Sequence, residues 1–437
     1  MAPNATSQER SGKSSWAEIP RADGHSGVIL LTGVTGFVGK RLLAELLDQT
    51  TGALVCLVRA ADELEAQRRG RAISRNLRVV FLPADIEKPQ LGLTDTVWEM
   101  LANRITEIYH CAASVRFDLS LEESQRINVG GTRTLLTLAK KAVRAGHFSR
   151  FHHVSTAYVA GKKRGLVDSD YLPDHQKASR FRNAYEQSKA EAESLLRNQS
   201  VVAVTIYRPS IVAGDTRGGA TDNFNVLYVP MRLIHRGAMP FMPAGGTNFV
   251  DCVGVDYVVR GIVALGKTSA GQCDSFHLTT GKNHFNVQDL VRAARSASLG
   301  SKACATTDCK VVSRLGWNTL GLASMLAQLA PLRFRHLRRW GKSLARLIRG
   351  FEPYEPYTNV NTIFDCTRED EFLSAMGICQ PPPLDYLKTI AEYAVQVEFG
   401  ASLSACGVAT ESELAAVEGG SNLPEESQKP LAAGLSV

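Results

Sequence analysis

Near the start of the chain a β-forming run, Val28-Ile-Leu-Leu-Thr32, leads directly into Gly33-Val-Thr-Gly36-Phe-Val-Gly39. A helical pattern follows, with Leu42, Leu43, Leu46 and Leu47 on one face. A strand without polar alternation is buried on both sides, as in parallel sheets covered by helices. Glycines at this spacing permit a tight turn, close backbone approach to a pyrophosphate and close helix–strand packing, and the helix N-terminus adds free N–H groups. The strand–turn–helix frame separates such a loop from a merely glycine-rich connection. Gly33, Thr35, Gly36, Phe37, Val38 and Gly39 are therefore candidates for holding a dinucleotide.

Further β-branched runs recur at Ala53–Val58, Val79–Leu82, Ile105–His110, Phe151–Ser155 and Val202–Tyr207, with helical patterns between them. This alternation predicts an α/β fold: a Rossmann-type, doubly wound parallel sheet with a smaller, mostly helical C-terminal substrate lobe. The 437 residues divide into an arm over 1–26, a nucleotide-binding domain with lobe insertions over 27–300, a helical lobe over 301–400 and an acidic tail over 401–437. The arm is polar and lacks periodicity, the tail is poor in aromatics and acidic, and both are expected to be disordered. No apolar run follows basic residues in the arm, so it does not read as a secretory signal.

The second strand ends at Val58-Arg59. Enzymes that use NAD usually place Asp or Glu here for the ribose hydroxyls; a guanidinium instead suits the 2′-phosphate of NADP. Asp62 is close enough to be an alternative ribose ligand. Asp85-Ile86 follows the third strand, where side chains meet the adenine edge.

Tyr185-Glu-Gln-Ser-Lys189 opens an Ala/Glu-rich helical segment. Positions i and i+4 share a helix face, and a neighbouring ammonium stabilises phenolate, which makes the tyrosine a usable acid–base. About thirty residues upstream a strand ends in His153-Val-Ser155-Thr156-Ala-Tyr158, which supplies a hydroxyl to polarise a substrate oxygen. The combination points to transfer of hydride to a carbonyl.

With these motifs in view, the chain resembles an extended short-chain dehydrogenase/reductase, in the branch of fatty acyl-CoA reductases and carrier-protein thioester reductase domains. The resemblance covers roughly residues 27–270. It rests on Thr32–Gly39, Tyr109–Asp118, Asn128-Val-Gly-Gly-Thr132, His153–Tyr158, Asn183–Glu191, Tyr207-Arg-Pro-Ser-Ile211 and Val255-Asp-Tyr-Val258. It implies NADPH and a Thr156/Tyr185/Lys189 triad, with Asn128 supporting Lys189 through a water. Thr156 rather than Ser155 is the implied catalytic hydroxyl, and Ser155, Tyr158 and Ser114 line the substrate side. Cys111, Ala112 and Ala113 lie along the cofactor, and Arg208, Pro209 and Ile211 approach the nicotinamide. The implied substrate is a fatty acyl thioester of CoA or of an acyl carrier protein, reduced to an aldehyde and, in a second step, to an alcohol. A sugar-nucleotide epimerase or dehydratase and a hydroxysteroid-type dehydrogenase share the core triad and stand as alternatives, and a non-catalytic NADP-binding sensor is disfavoured by the intact Tyr–Lys pair.

Residues 221–250 are rich in Phe, Leu, Val and Met, a composition that suits an acyl-chain surface as well as ordinary core packing. The formal charge is +7, yet nine Lys or Arg and no acid fall between Cys309 and Phe351, so the remainder sums to 7 − 9 = −2. One segment carries the excess, which argues against a nucleic-acid docking face. Over 333–351 apolar and basic residues fall on opposite arcs of a helix. Such a helix fits a lobe element packed on the body, a peripheral contact with a membrane surface, or an acidic carrier protein. The uncharged stretch Leu315–Leu332 is broken by Asn318, Gln328 and Pro331 and is not read as a membrane span. Nine scattered cysteines without a C-x-x-C pair fit a reducing, cytoplasmic setting, and no metal-ligand constellation is visible.

Overall fold

A computed structural model describes residues 27–244, 249–298, 309–352 and 354–401. The expectations for the N-terminal arm, the acidic tail and the boundary near residue 300 lie outside the described residues. Seven strands form one parallel sheet: β1 (Val28–Thr32), β2 (Ala53–Val58), β3 (Val79–Pro83), β4 (Ile105–His110), β5 (Arg150–Val154), β6 (Val204–Pro209) and β7 (Cys273–Leu278). Their order is β3-β2-β1-β4-β5-β6-β7. The strand missed by sequence reasoning is β7, an edge strand whose Asp274, Ser275 and His277 hide its pattern.

The helices are α1 (Phe37–Gln49), α2 (Glu63–Arg71), α3 (Asp95–Ala102), α4 (Gly130–Arg144), α5 (Ala184–Arg197), α6 (Tyr228–His235), α7 (Val255–Thr268), α8 (Val287–Ser298), α9 (Arg314–Gln328), α10 (Arg335–Phe351), α11 (Thr367–Ala375) and α12 (Pro383–Gln396). Leu42, Leu43 and Leu46 of α1 and Val258, Ile262 and Leu265 of α7 cover one sheet face. Trp98 and Leu101 of α3, Leu135 and Leu138 of α4 and Leu196 of α5 cover the other. Burying each such side chain contributes about 1.5–3 kcal/mol, so the central strands are held from both sides. Because β1 pairs with β2 on one edge and β4 on the other, the winding direction reverses beside it. That reversal opens a crevice at the carboxyl ends of the strands.

A third core belongs to the lobe. It joins Tyr228, Met231 and Ile234 of α6, Leu290 and Val291 of α8, Trp317 of α9, Phe351 of α10, and Tyr386 and Ile390 of α12. The acyl-surface reading of 221–250 gives way here: Leu227, Tyr228, Val229, Met231, Leu233, Ile234, Met239 and Met242 are all buried in this core. The lobe is stitched to the body by short parallel pairings. Thr362–Phe364 lies beside Gly165–Val167, and Lys310–Val312 beside Phe241–Pro243.

The basic helix is α10. Its C-terminal half docks: Leu344 and Phe351 are buried, Leu347 and Ile348 pack on the lobe core, and Gly341 lets the helix approach Ala327 and Ser324 of α9. Its N-terminal half leaves Phe334, Leu337 and Trp340 nearly half exposed, beside Leu322, Met325 and Leu326 of α9. The packed-element reading therefore describes only part of the helix. No helix among the described residues is long and apolar enough to cross a membrane.

Candidate active site

The glycine loop sits at the crevice. Gly33 has φ +75°, the left-handed region, and a Cβ there would lie 2.6 Å from the Ala112 nitrogen. A Cβ on Gly39 would lie 2.1 Å from the Gly33 carbonyl oxygen. Gly36 opens α1 without a side-chain cap and donates its own N–H to Gly33 O at 2.9 Å. The first N–H groups of the helix are thus left for an anion, and the cradle fits a dinucleotide pyrophosphate. Thr35 and Gly36 are exposed, Phe37 and Val38 half-buried. Behind the loop, Thr32 Oγ1 pairs with His110 Nδ1 at 2.8 Å and accepts the Ala112 N–H at 3.2 Å. His110 Nε2 reaches Thr132 Oγ1 at 3.2 Å. Burial, helped by the nearby Lys189 charge, pushes His110 down to about 3, so it is a neutral pin holding β1, β4 and α4 together. Cys111, Ala112 and Ala113 continue from β4 along the crevice, half-buried.

Arg59 ends β2 with its side chain 69% exposed, 3.8 Å from Glu87. Glu87 also pairs with Arg126, a second cation at this position that sequence reasoning missed. Asp62 is used otherwise: it caps α2, accepting the Glu65 N–H at 2.8 Å. Asp85 turns the chain by accepting the Glu87 N–H at 3.1 Å, and Ile86 packs against Gly131.

The catalytic candidates meet where β5 ends and α5 begins. Asn183 caps α5 by accepting the Glu186 N–H at 3.0 Å, which sets the orientation of the first turn. Burial pushes the Tyr185 phenol up to about 12, and the neighbouring Thr156 hydroxyl pulls the other way. One turn on, Lys189 donates to Val154 O at 2.8 Å and to His153 Nε2 at 3.2 Å. Burial lowers the Lys189 ammonium to about 8 against the pull of Glu193. Burial and the Lys189 charge hold His153 far below its ordinary value, so the ring is neutral and accepts. Two of three ammonium donors are thus used and one is left. Thr156 is buried, caps the turn Ala157–Ala160 and reaches Pro209 O at 3.4 Å. Ser155 is tied by its N–H to Tyr207 O at 2.7 Å, behind Thr156.

Asn128 and Arg208 are both held by protein partners. Asn128 lies in a π-type run, Gln125–Val129, that re-aims it. Its amide accepts the Ser114 N–H at 2.8 Å and donates to Ser114 O at 3.2 Å and Ser188 Oγ at 2.9 Å. It fixes the Ser114 backbone against α5, and no direct bond to Lys189 forms. Arg208 does not face the nicotinamide position. It is fully buried in a two-point ion pair with Glu193 of α5 (2.5 and 3.1 Å) and donates to Ser169 O at 2.7 Å and Tyr171 O at 2.9 Å. Ile211 begins the short strand beside Cys252–Gly254 and packs between the lobe core and the Tyr158 cluster.

The lobe reaches the site through Tyr357. Its ring stacks on Phe117 at 5.2 Å and meets Tyr158 edge-on at 5.1 Å, and its hydroxyl accepts from Asn183 Nδ2 at 2.8 Å. Phe117 lies 5.8 Å from the Tyr185 ring. Tyr158, expected to line the pocket, is 6% exposed inside this group. Nothing in the spacing of Phe117 and Tyr357, far apart in the chain, signals that they meet.

Residues 31–262 match the family described as male sterility protein. The chain belongs to that family. It thereby sits in the extended short-chain dehydrogenase/reductase branch that its motifs resemble, with an NAD(P)-binding domain. Among solved structures, the terminal R domain of the myxalamid PKS-NRPS pathway is 28% identical, covers 87% of this chain and 93% of its own, and superposes with a TM-score of 0.69. A linear gramicidin synthase polypeptide of Brevibacillus parabrevis is 30% identical over 60% of this chain and 5% of its own length. Fatty acyl-CoA reductase 1 of Xenopus laevis is 30% identical over 54% of this chain and 53% of its own. The match spans about half of that reductase and a small part of the synthase. Among the described residues of this male sterility family member, no group of His, Cys, Asp or Glu could hold a metal ion.

The Glu193–Arg208 pair generates a prediction. Removing one partner of a buried pair leaves an uncompensated charge and costs about 3–5 kcal/mol. Arg208→Met should lower stability by that amount in urea denaturation, and a change within about 0.5 kcal/mol, as for an ordinary surface substitution, would refute the pair's structural role.

Proposed function

We propose that this chain reduces a fatty acyl thioester, carried on CoA or an acyl carrier protein, to the aldehyde with NADPH. The observation that carries this reading is the gathering of Thr156, Tyr185 and Lys189 where β5 meets α5, beside a glycine cradle that fits a dinucleotide. When bound, the reduced nicotinamide supplies hydride to the carbonyl carbon. Thr156 and Tyr185 position the substrate oxygen between them. Tyr185 is held protonated by its burial, which is the state a reduction needs, and gives its proton to the oxygen as charge develops there. The product of that step is a hemithioacetal. As it collapses, its hydroxyl proton returns to the Tyr185 phenolate, the C–S bond breaks, aldehyde leaves, and the thiolate takes a proton from solvent. Lys189 stabilises the transient phenolate, and its remaining N–H would hold the nicotinamide ribose. The thioester assignment draws support from relatives named as fatty acyl-CoA reductase and as a terminal R domain.

Incubation with NADPH and decanoyl-CoA or a decanoyl carrier protein should give decanal and free thiol. Tyr185→Phe should lower kcat by at least about 10²-fold while NADPH still quenches intrinsic fluorescence. Unchanged turnover would overturn the triad.

The pH dependence follows from Lys189. Its ammonium is present below about pH 8 and is lost above it. Turnover should therefore fall on raising pH through about 8, and a rate still rising at pH 9 would contradict this role for Lys189.

The preference for NADPH rests on Arg59, with Arg126 beside it. Arg59→Ala should raise the KM for NADPH about tenfold and leave that for NADH nearly unchanged. Equal losses would remove Arg59 from 2′-phosphate recognition.

A further inference from the structure

A cavity of about 340 Å³ opens where the lobe meets the body, away from the glycine loop. Lys162, Lys163 and Arg164 line it from the segment after the Thr156 turn, Arg182 from just before α5, and Arg314 and Glu355 from the lobe. Five cations from three stretches of chain therefore face one carboxylate. That carboxylate is engaged, with Glu355 3.6 Å from Arg314. Arg182 is engaged too, 3.1 Å from the fully buried Glu186. Lys162, Lys163 and Arg164 have no carboxylate partner among the described residues: Lys162 donates to Ser179 O at 3.1 Å, and Lys163 lies 5.5 Å over the Tyr171 ring. Like charges gathered in a concavity repel one another and focus a field that favours an anion.

A path leads from the cavity to the chemistry. The Arg182 guanidinium sits 5.9 Å over the Tyr357 ring. That ring stacks on Phe117, whose other neighbour is Tyr185. A chain of ring contacts thus links the cationic mouth to the phenol.

We propose that this cavity binds the phosphate at the far end of the pantetheine arm of the thioester substrate, with the arm lying along Tyr357 and Phe117 and the sulfur end at Tyr185. The inference rests on the thioester-reductase reading above. The phosphate ester is common to CoA and to a phosphopantetheinylated carrier protein, so the site recognises what both substrates share. Lys163 and Arg164 are the free charges that hold it, and Arg182 ties the site to the first turn of the catalytic helix.

The test compares two thioesters that differ only in this group, decanoyl-phosphopantetheine and decanoyl-pantetheine, on the wild-type chain and on K163A/R164A. The wild type should show at least about tenfold higher kcat/KM for the phosphorylated member, through KM. The double variant should lose that preference while keeping its rate on decanoyl-pantetheine and its KM for NADPH. Decanoyl-CoA and a decanoyl carrier protein, run in parallel, name the source: a loss on either, together with the lost preference, supports the site. A wild type that reduces both members equally well overturns the site alone. So does a variant that loses both members equally, or one impaired only with the carrier protein. A wild type that reduces none of the thioesters overturns the reductase reading and the site with it, a distinct result.

Discussion

The ion pair between Glu193 and Arg208 sets the depth of α5. Both side chains are fully buried, so neither charge has water to fall back on. Burial alone would raise the Glu193 pKa, and Arg208 more than offsets it, so the carboxyl is held below its ordinary value. Because Arg208 belongs to β6 and Glu193 to α5, the pair fastens the helix to the sheet one turn beyond Lys189. Glu193 in turn favours the Lys189 ammonium, which burial would otherwise discharge further. A structural bond and the protonation of a catalytic candidate thus share one carboxylate.

The other end of α5 is fastened by the lobe. Asn183 caps the helix with its carbonyl and holds the Tyr357 hydroxyl with its amide nitrogen. Tyr357 then packs on Phe117 and Tyr158. The lobe is consequently part of the site's wall. It packs its own core from α6, α8 and α12 and reaches the chemistry through one aromatic side chain. The buried apolar residues between Leu227 and Met242 serve that core.

Much of the nucleotide half was legible in the chain. A glycine triplet between a buried strand and a helix has few uses, because the close approaches it permits are ones no Cβ tolerates, as Gly33 and Gly39 show. The Tyr185 and Lys189 spacing was legible for a similar reason, since helix geometry alone puts positions i and i+4 together. What escaped depends on distant segments. The edge strand β7 carries polar residues whose partners come from α11 and the loops, as with the His277 N–H given to Glu369 at 3.1 Å. The resemblance implied that Arg208 approaches the nicotinamide, but a carboxylate fifteen positions earlier captured it. Asp62 read as an alternative ribose ligand beside Arg59, but the start of α2 takes it as its cap.

By itself the sequence determined the phosphate loop, the parallel strand pattern, the tyrosine–lysine face and the concentration of positive charge in the lobe. Each is a local matter of spacing, backbone freedom or side-chain type. Only the tertiary structure decided how deep α5 sits, that Asn128 holds Ser114, that half of the basic helix is docked while half stays exposed, and that five cations converge on one cavity. Those outcomes depend on which distant side chains come within a few ångströms in a low-dielectric interior, and no spacing along the chain encodes that distance.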